Sequence, residues 1–364
     1  MGNKRILTSL SGAVIRSIDD WETFRKSEIK ELFANYVYGV VPDWCPKKLQ
    51  HTIEAVDENF CGKEITYTKT TLHCDGFSFP IQMFVPHAEK PVPAFVFVMH
   101  EYQEDNCDLE KEPNCRFLPV FDITDRGYAA VVMPTRSIYP DWEHHAEYQQ
   151  GIFRLMPGQE TRNEHSWATI AAWAWGAQRV MDYLETQPQI DIDHVAVAGH
   201  SRSGKTALWC GACDPRFQLV ISNNSGCMGA ALLKGKRGER VKDINITDWF
   251  CKKFHSFNGR EEFLPVDQDM LLALMAPRLL YVASSFEDTW ADPEAELRAC
   301  KMASCAYELY GEAGLSMECE TAEVGVPYHA GRIGYHVKSG EHGLMPFDWK
   351  LFMDFWDAKI KAAT

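Results

Sequence analysis

"AGHSRSGKTAL", residues 198–208, supports two readings that exclude each other. Gly199, four intervening residues and Gly204-Lys205-Thr206 spell the phosphate-cradling loop G-x-x-x-x-G-K-[ST]. Gly199-His200-Ser201-Arg202-Ser203 is also one letter short of G-x-S-x-G, the sharp elbow that presents a serine for attack on an ester. Both need a strand, a tight turn and a helix, and "HVAVAGHSRSGKTALWCGA" supplies all three. The decision therefore falls to the rest of the chain.

A phosphate loop follows the first strand of its domain and wraps the anion in consecutive backbone N–H groups, which small residues permit. Here several apolar strand-like runs come first, and His200, Ser201, Arg202 and Ser203 are bulky for that work. The elbow needs small neighbours where strand and helix nearly touch, then an acid and a histidine in the order Ser…Asp/Glu…His. Gly199 and Ser203 flank Ser201 at i−2 and i+2. "YVASSFEDTW" places Glu287 and Asp288 just past a strand, and "VKSGEHGLMPFDW" places His342 in a polar loop before the last helix. Ser201 is the expected nucleophile, His342 its base, and Asp288, with Glu287 as the alternative, the acid that holds the imidazole tautomer. The backbone N–H of Arg202 is expected to point at the developing oxyanion.

The surrounding pattern fits an α/β-hydrolase fold, a three-layer sandwich with a central mostly parallel sheet. Residues 51–86 alternate like antiparallel strands. "AFVFVM" (94–99), "YAAVVMP" (128–134), "VAVAG" (195–199), "LVISNN" (219–224) and "RLLYVAS" (278–284) read as buried strands. Helices are expected over 19–40, with Trp21, Phe24, Ile29, Leu32 and Phe33 on one side, and over 166–188, capped by Ser166 and ended by Pro188. Trp142, Trp173 and Trp175 read as core, and the connections 100–127 and 135–165 as the rim of a site. With no repeat or linker, residues 1–364 are expected to form a single domain.

A net charge of −14 argues against binding nucleic acid or an anionic membrane through a basic surface. No apolar run is long enough to span a bilayer. Met1-Gly2-Asn3-Lys4-Arg5 is not followed by an apolar signal core, which points to the cytoplasm, or to secretion or the periplasm if a leader has been removed. Twelve cysteines show no disulfide or zinc framework. Buried reduced thiols and a reducing compartment are the expectation, with Cys210 and Cys213 inside the helix after the elbow.

"GHSRSGKTAL" also resembles the G-[CH]-S-R-x-G-K-x-A signature of glucuronoyl esterases, carbohydrate esterase family 15. Further blocks similar to that family, in its order, are "IKELFANYVYGVVP" (29–42), "AAWAWGAQRVMDYL" (171–184), "SNNSGCMGAAL" (222–232), "LPVDQDMLLALMAPRLLYVAS" (264–284) and "DTWADP" (288–293). The resemblance implies a metal-free, cofactor-free serine esterase. Its substrate would be a small-molecule or oligosaccharide ester of (4-O-methyl-)glucuronic acid, cleaved through an acyl-enzyme.

It also implies an Arg202 guanidinium aimed at the oxyanion, and Lys205, Glu239 and Trp290 as contacts for the uronate sugar. Many family members carry the triad acid as a Glu after the next strand, where this chain has Asn224. Asp288 and Trp290 instead match the Asp-x-Trp loop of other bacterial members. The segment "MHEYQEDN" (99–106) departs from the family's Gly/Asn-containing loop and leaves the second oxyanion donor unassigned. Alternatives are an esterase for sugar acetates or other uronate methyl esters, a non-catalytic sugar-binding relic, and the nucleotide-binding loop. The oligomeric state and the alcohol portion are not legible.

Overall fold

The computed structural model describes residues 3–43, 48–141, 150–155, 162–235, 237–244 and 248–363. Eleven strands succeed one another along them: β1 (Leu49–Asp57), β2 (Ile65–Cys74), β3 (Phe77–Pro86), β4 (Val92–Met99), β5 (Asn114–Cys115), β6 (Leu118–Pro119), β7 (Ala129–Pro134), β8 (Ile190–His200), β9 (Leu219–Asn223), β10 (Leu279–Ser285) and β11 (Ile333–Lys338). Nine form one sheet in the order β1-β2-β3-β7-β4-β8-β9-β10-β11, and β5 pairs with β6 in a small hairpin. From β7 to β11 all neighbours run parallel, whereas β1, β2 and β3 join by antiparallel pairing.

The central strands carry continuous apolar runs, residues 94–99, 129–133, 195–198, 219–221 and 279–283, because both faces are covered there. Alternate residues feed opposite cores, as the two-residue pleat requires. Val96, Val98, Val131, Val197 and Val220 pack with the helices Thr169–Leu184 and Arg202–Cys213. Phe95, Phe97, Val132, Ala198 and Tyr281 pack with Trp349, Phe352 and Trp356 of the terminal helix Pro346–Ala363. The result is a helix–sheet–helix sandwich with a mostly parallel centre. No helix among the described residues is long and apolar enough to cross a membrane.

Local expectations hold in part. Trp173 and Trp175 are buried, while Trp142 lies outside the described residues. The helix expected from Ser166 begins at Thr169 with Ala168 at its cap, because the Ser166 hydroxyl accepts the Asn163 N–H instead. It ends at Leu184, four residues before Pro188. In the N-terminal helical run, Trp21, Ile29, Leu32 and Phe33 are buried but Phe24 is exposed. Trp21–Arg25 forms a π-helical turn, and the wider turn rotates Phe24 off the face that a 3.6-residue repeat assigns it.

The cysteines are the clear departure. Cys107 and Cys115 form a disulfide, with Cα atoms 5.9 Å apart, across the approach to the β5–β6 hairpin. Nine others, Cys210 and Cys213 included, are free thiols, and Cys45 lies outside the described residues. The paired cysteines remove thiol content as an argument for a reducing compartment.

Candidate active site

Strand β8 delivers the chain to Ser201, whose φ of 59° and ψ of −124° are unusual for a residue bearing a Cβ. Helix Arg202–Cys213 begins at once. The bend is tight enough that a Cβ on Gly199 would sit 2.0 Å from the Ser203 carbonyl oxygen. Gly204, which the phosphate-loop reading used, is confined less severely: its Cβ would fall 2.9 Å from the Ser225 Cβ. The Ser201 N–H bonds the Asn223 carbonyl at 2.8 Å, tying the turn to the end of β9. Lys205, which a phosphate loop would aim at an anion, is buried and donates to the Ser225 carbonyl at 2.8 Å.

Asp288 lies in the loop after β10, and His342 in the loop between β11 and the terminal helix. The His342 Nδ1 is 2.6 Å from Asp288 Oδ2. That carboxylate also accepts the Asn224 Nδ2 at 2.9 Å and the Ala291 N–H at 3.1 Å. Burial alone would raise its pKa. The hydrogen bond and charge of His342, with the Asn224 and Ala291 donors, outweigh burial and hold the carboxyl below its ordinary range. Asn224, at the position where the resemblance implies that many family members carry the acid, therefore supplies a donor to Asp288. Glu287 turns the other way and accepts the Gly340 N–H. With Nδ1–H given to Asp288, the Nε2 of His342 is left as the proton acceptor.

The His342 loop is pinned at several points. Lys338 donates to the Gly343 carbonyl at 2.9 Å and pairs with buried Asp348, which accepts the Met345 N–H at 2.8 Å. The Phe286 N–H bonds the Lys338 carbonyl at 2.8 Å. Ser201 and His342 face one cleft of about 600 Å³, lined also by His100, Tyr102, Arg116, Phe117 and His200. Part of the expected rim, residues 100–117, thus borders the site. The imidazole of His200 lies 4.6 Å from that of His342, centroid to centroid, and is buried. Burial, then the charges of His342 and His100, hold its pKa well below the ordinary value.

Arg202 is gripped by groups the sequence did not reveal. Its guanidinium pairs with the buried Asp141 carboxylate and lies 4.9 Å from the centroid of the Trp249 ring. The Trp249 Nε1 closes the triangle, donating to Asp141 at 2.6 Å. The Asp141 N–H in turn donates to buried Glu101 at 2.6 Å. These partners are 61 and 108 residues apart in sequence, and no motif links them.

The three expected sugar contacts lie together. Lys205 Nζ is 3.4 Å from Glu239 Oε2 and 5.5 Å from the same Trp249 ring. The Glu239 N–H bonds the Trp290 carbonyl at 2.9 Å, and the Trp290 side chain stands about half exposed. Trp249 thus joins the Lys205–Glu239–Trp290 group to the residue after Ser201.

Residues 120–311 match the family model described as glucuronyl esterase, fungi. A carbohydrate esterase from an unknown prokaryotic organism is 34% identical over 96% of this chain and 88% of its own. The 4-O-methyl-glucuronoyl methylesterase 1 of Wolfiporia cocos is 33% identical over 82% of this chain and 70% of its own. The solved glucuronoyl esterase of Solibacter usitatus superposes with a TM-score of 0.87 at 32% identity, covering 97% of this chain and 96% of that one. The elbow, the order of its partners and these likenesses along nearly the whole length lead to one conclusion: the chain belongs to the glucuronoyl esterases, carbohydrate esterase family 15.

Proposed function

We propose that this chain is a serine esterase that hydrolyses esters of glucuronic acid and its 4-O-methyl derivative through an acyl-enzyme. The observation that carries the reading is the 2.6 Å bond between His342 and Asp288 at the cleft that also exposes the strained Ser201 turn.

His342 Nε2 takes the Ser201 hydroxyl proton as Oγ attacks the ester carbon, and Asp288 stabilises the imidazolium formed. Charge gathers on the former carbonyl oxygen, and the Arg202 backbone N–H and guanidinium are the donors proposed to meet it. One such preorganised donor is worth roughly 3 kcal/mol of barrier. Collapse of the adduct expels the alcohol, which takes its proton from His342. Water, deprotonated by the same imidazole, then releases the uronate and restores Ser201. Lys205 and Glu239 supply charged hydrogen-bonding groups for the sugar hydroxyls, and Trp290 an exposed ring beside them. The Cys107–Cys115 disulfide favours work in an oxidising compartment over the cytoplasm expected from the sequence.

Ser201→Ala tests the reading directly. Hydrolysis of methyl or benzyl glucuronate should be abolished, and a fluorophosphonate should label the parent once per chain and the variant not at all. An unchanged rate in Ser201→Ala overturns the proposal.

A further inference from the structure

The segment that departs from the family pattern, "MHEYQEDN" (99–106), has as its second residue a histidine, His100, whose ring nitrogens have no use inside the protein. His100 follows β4 as Ser201 follows β8, and the two strands are parallel neighbours. The ladder pairs Val98 with Gly199, so continuing the register by two residues sets His100 beside Ser201 at the same sheet edge. Its ring lines the cleft with Ser201, Arg202 and His342.

His100 is 4% exposed, and neither ring nitrogen has a hydrogen-bond partner. The nearby Gln103 N–H is spent on the His100 carbonyl at 2.8 Å, and the Gln103 Oε1 accepts the His100 backbone N–H. A buried imidazole left with an unmatched donor is costly, and such groups in native structures call for an explanation. Flanking rings confine it: the centroids of Tyr102 and His200 lie 6.4 and 6.1 Å away, and His200 is itself committed through Nδ1 to Asn223 at 2.6 Å.

We propose that the side-chain N–H of His100 is a second donor to the oxyanion of the ester, acting beside Arg202. The inference rests on the esterase reading above. As Ser201 Oγ adds to the carbonyl carbon, the electron pair moves to oxygen, and His100 donates a hydrogen bond to it while keeping its proton. The neutral ring suits that role. Burial, and then the charges of Arg202 and His342, push its pKa down to about 3. The imidazole therefore stays uncharged at working pH and does not compete with His342 for the serine proton. An uncharged donor also adds no second cation beside Arg202 in the resting site.

His100→Leu removes the donor and keeps the volume roughly constant; His100→Asn restores an N–H donor. On methyl glucuronate, His100→Leu should lower kcat about 100- to 1,000-fold with KM changed less than about threefold, the range for loss of one oxyanion donor. His100→Asn should recover at least about tenfold of that loss, and both variants should melt cooperatively. A His100→Leu variant within about threefold of the parent kcat overturns the proposal, as does an equal loss in the Leu and Asn variants or a loss confined to KM. Parent activity and its abolition by Ser201→Ala test the esterase reading separately. An inactive parent removes both conclusions, whereas an active parent indifferent at position 100 removes only this one.

Discussion

Asp288→Asn removes one charge and almost no volume, and the hydrogen bonds around it fix the expected damage. Three donors converge on the carboxylate: His342 Nδ1 and Asn224 Nδ2 on one oxygen, Ala291 N–H on the other. An amide offers one acceptor. If its oxygen faces His342 and Asn224, its NH₂ opposes the Ala291 N–H in a buried place, an unmatched donor costing about 1–3 kcal/mol of stability. If it is turned round, NH₂ faces His342, the imidazole must accept at Nδ1, and Nε2 carries the proton and ceases to be a base. Either way the imidazolium loses its counter-charge. For this tautomer defect a fall of about 10³- to 10⁴-fold in kcat is expected, equivalent to about 4–5.5 kcal/mol of barrier. Steady-state hydrolysis of methyl glucuronate and a thermal melt would measure both effects, with Glu287→Gln as the control expected to keep most activity. An Asp288→Asn enzyme within tenfold of the parent refutes the reasoning; so would a larger loss in Glu287→Gln.

Two further outcomes follow from buried groups. Asp141→Asn should release the Arg202 guanidinium from its charged partner, lowering kcat about tenfold or more with KM little changed, and Trp249→Phe should lose less; an unchanged kcat in Asp141→Asn would show that Arg202 needs no such anchor. Acid should destabilise the fold early. An unfolded histidine binds a proton near ~6.5, whereas folded His100 resists until about 3, so its contribution is complete above ~6.5 and is lost as pH falls toward 3. At pH 5 that loss is about 2 kcal/mol, and His200 adds to it in the same direction. The Asp348 carboxyl acts in the same direction at lower pH: burial would raise its pKa, but the His336 hydrogen bond and the Lys338 charge hold it low, so its contribution persists until the pH drops below ~3.8. Urea midpoints at pH 7.5 and 5 would show the histidine effect, and equal midpoints would contradict it.

What could be read from the chain, and what could not, divides by the range of the interactions. β4, β7, β8, β9 and β10 were legible because a strand covered on both faces carries an unbroken apolar run. β11 escaped that pattern: His336 and Lys338 are buried in "IGYHVK", where Asp348, arriving from the next helix, pairs with both, Tyr281 meets His336 and the Gly343 carbonyl accepts from Lys338. The Ser201, Asp288 and His342 set was visible because its order along the chain is itself a signal. The choice of Asp288 over Glu287 as the partner of His342 depends on loop geometry that two adjacent acids cannot announce. Asp141, Trp249 and the isolated ring of His100 gave no signal, since each matters only through contacts made after folding. The Cys107–Cys115 pair was equally silent, being a local closure among twelve scattered thiols.

The ends of β8, β9, β10 and β11 stand side by side, and each supplies one member of the set Ser201, Asn224, Asp288 and His342. During synthesis those ends emerge in that same sequence, so the reacting hydroxyl is made about 140 residues before the imidazole that arms it. On the proposed roles, every nascent fragment that stops short of His342 is expected to be inactive. Turnover therefore reports on late assembly: a chain that burns substrate has already laid its last strand against the sheet, and a protease nick that frees that strand would silence the molecule without touching the serine.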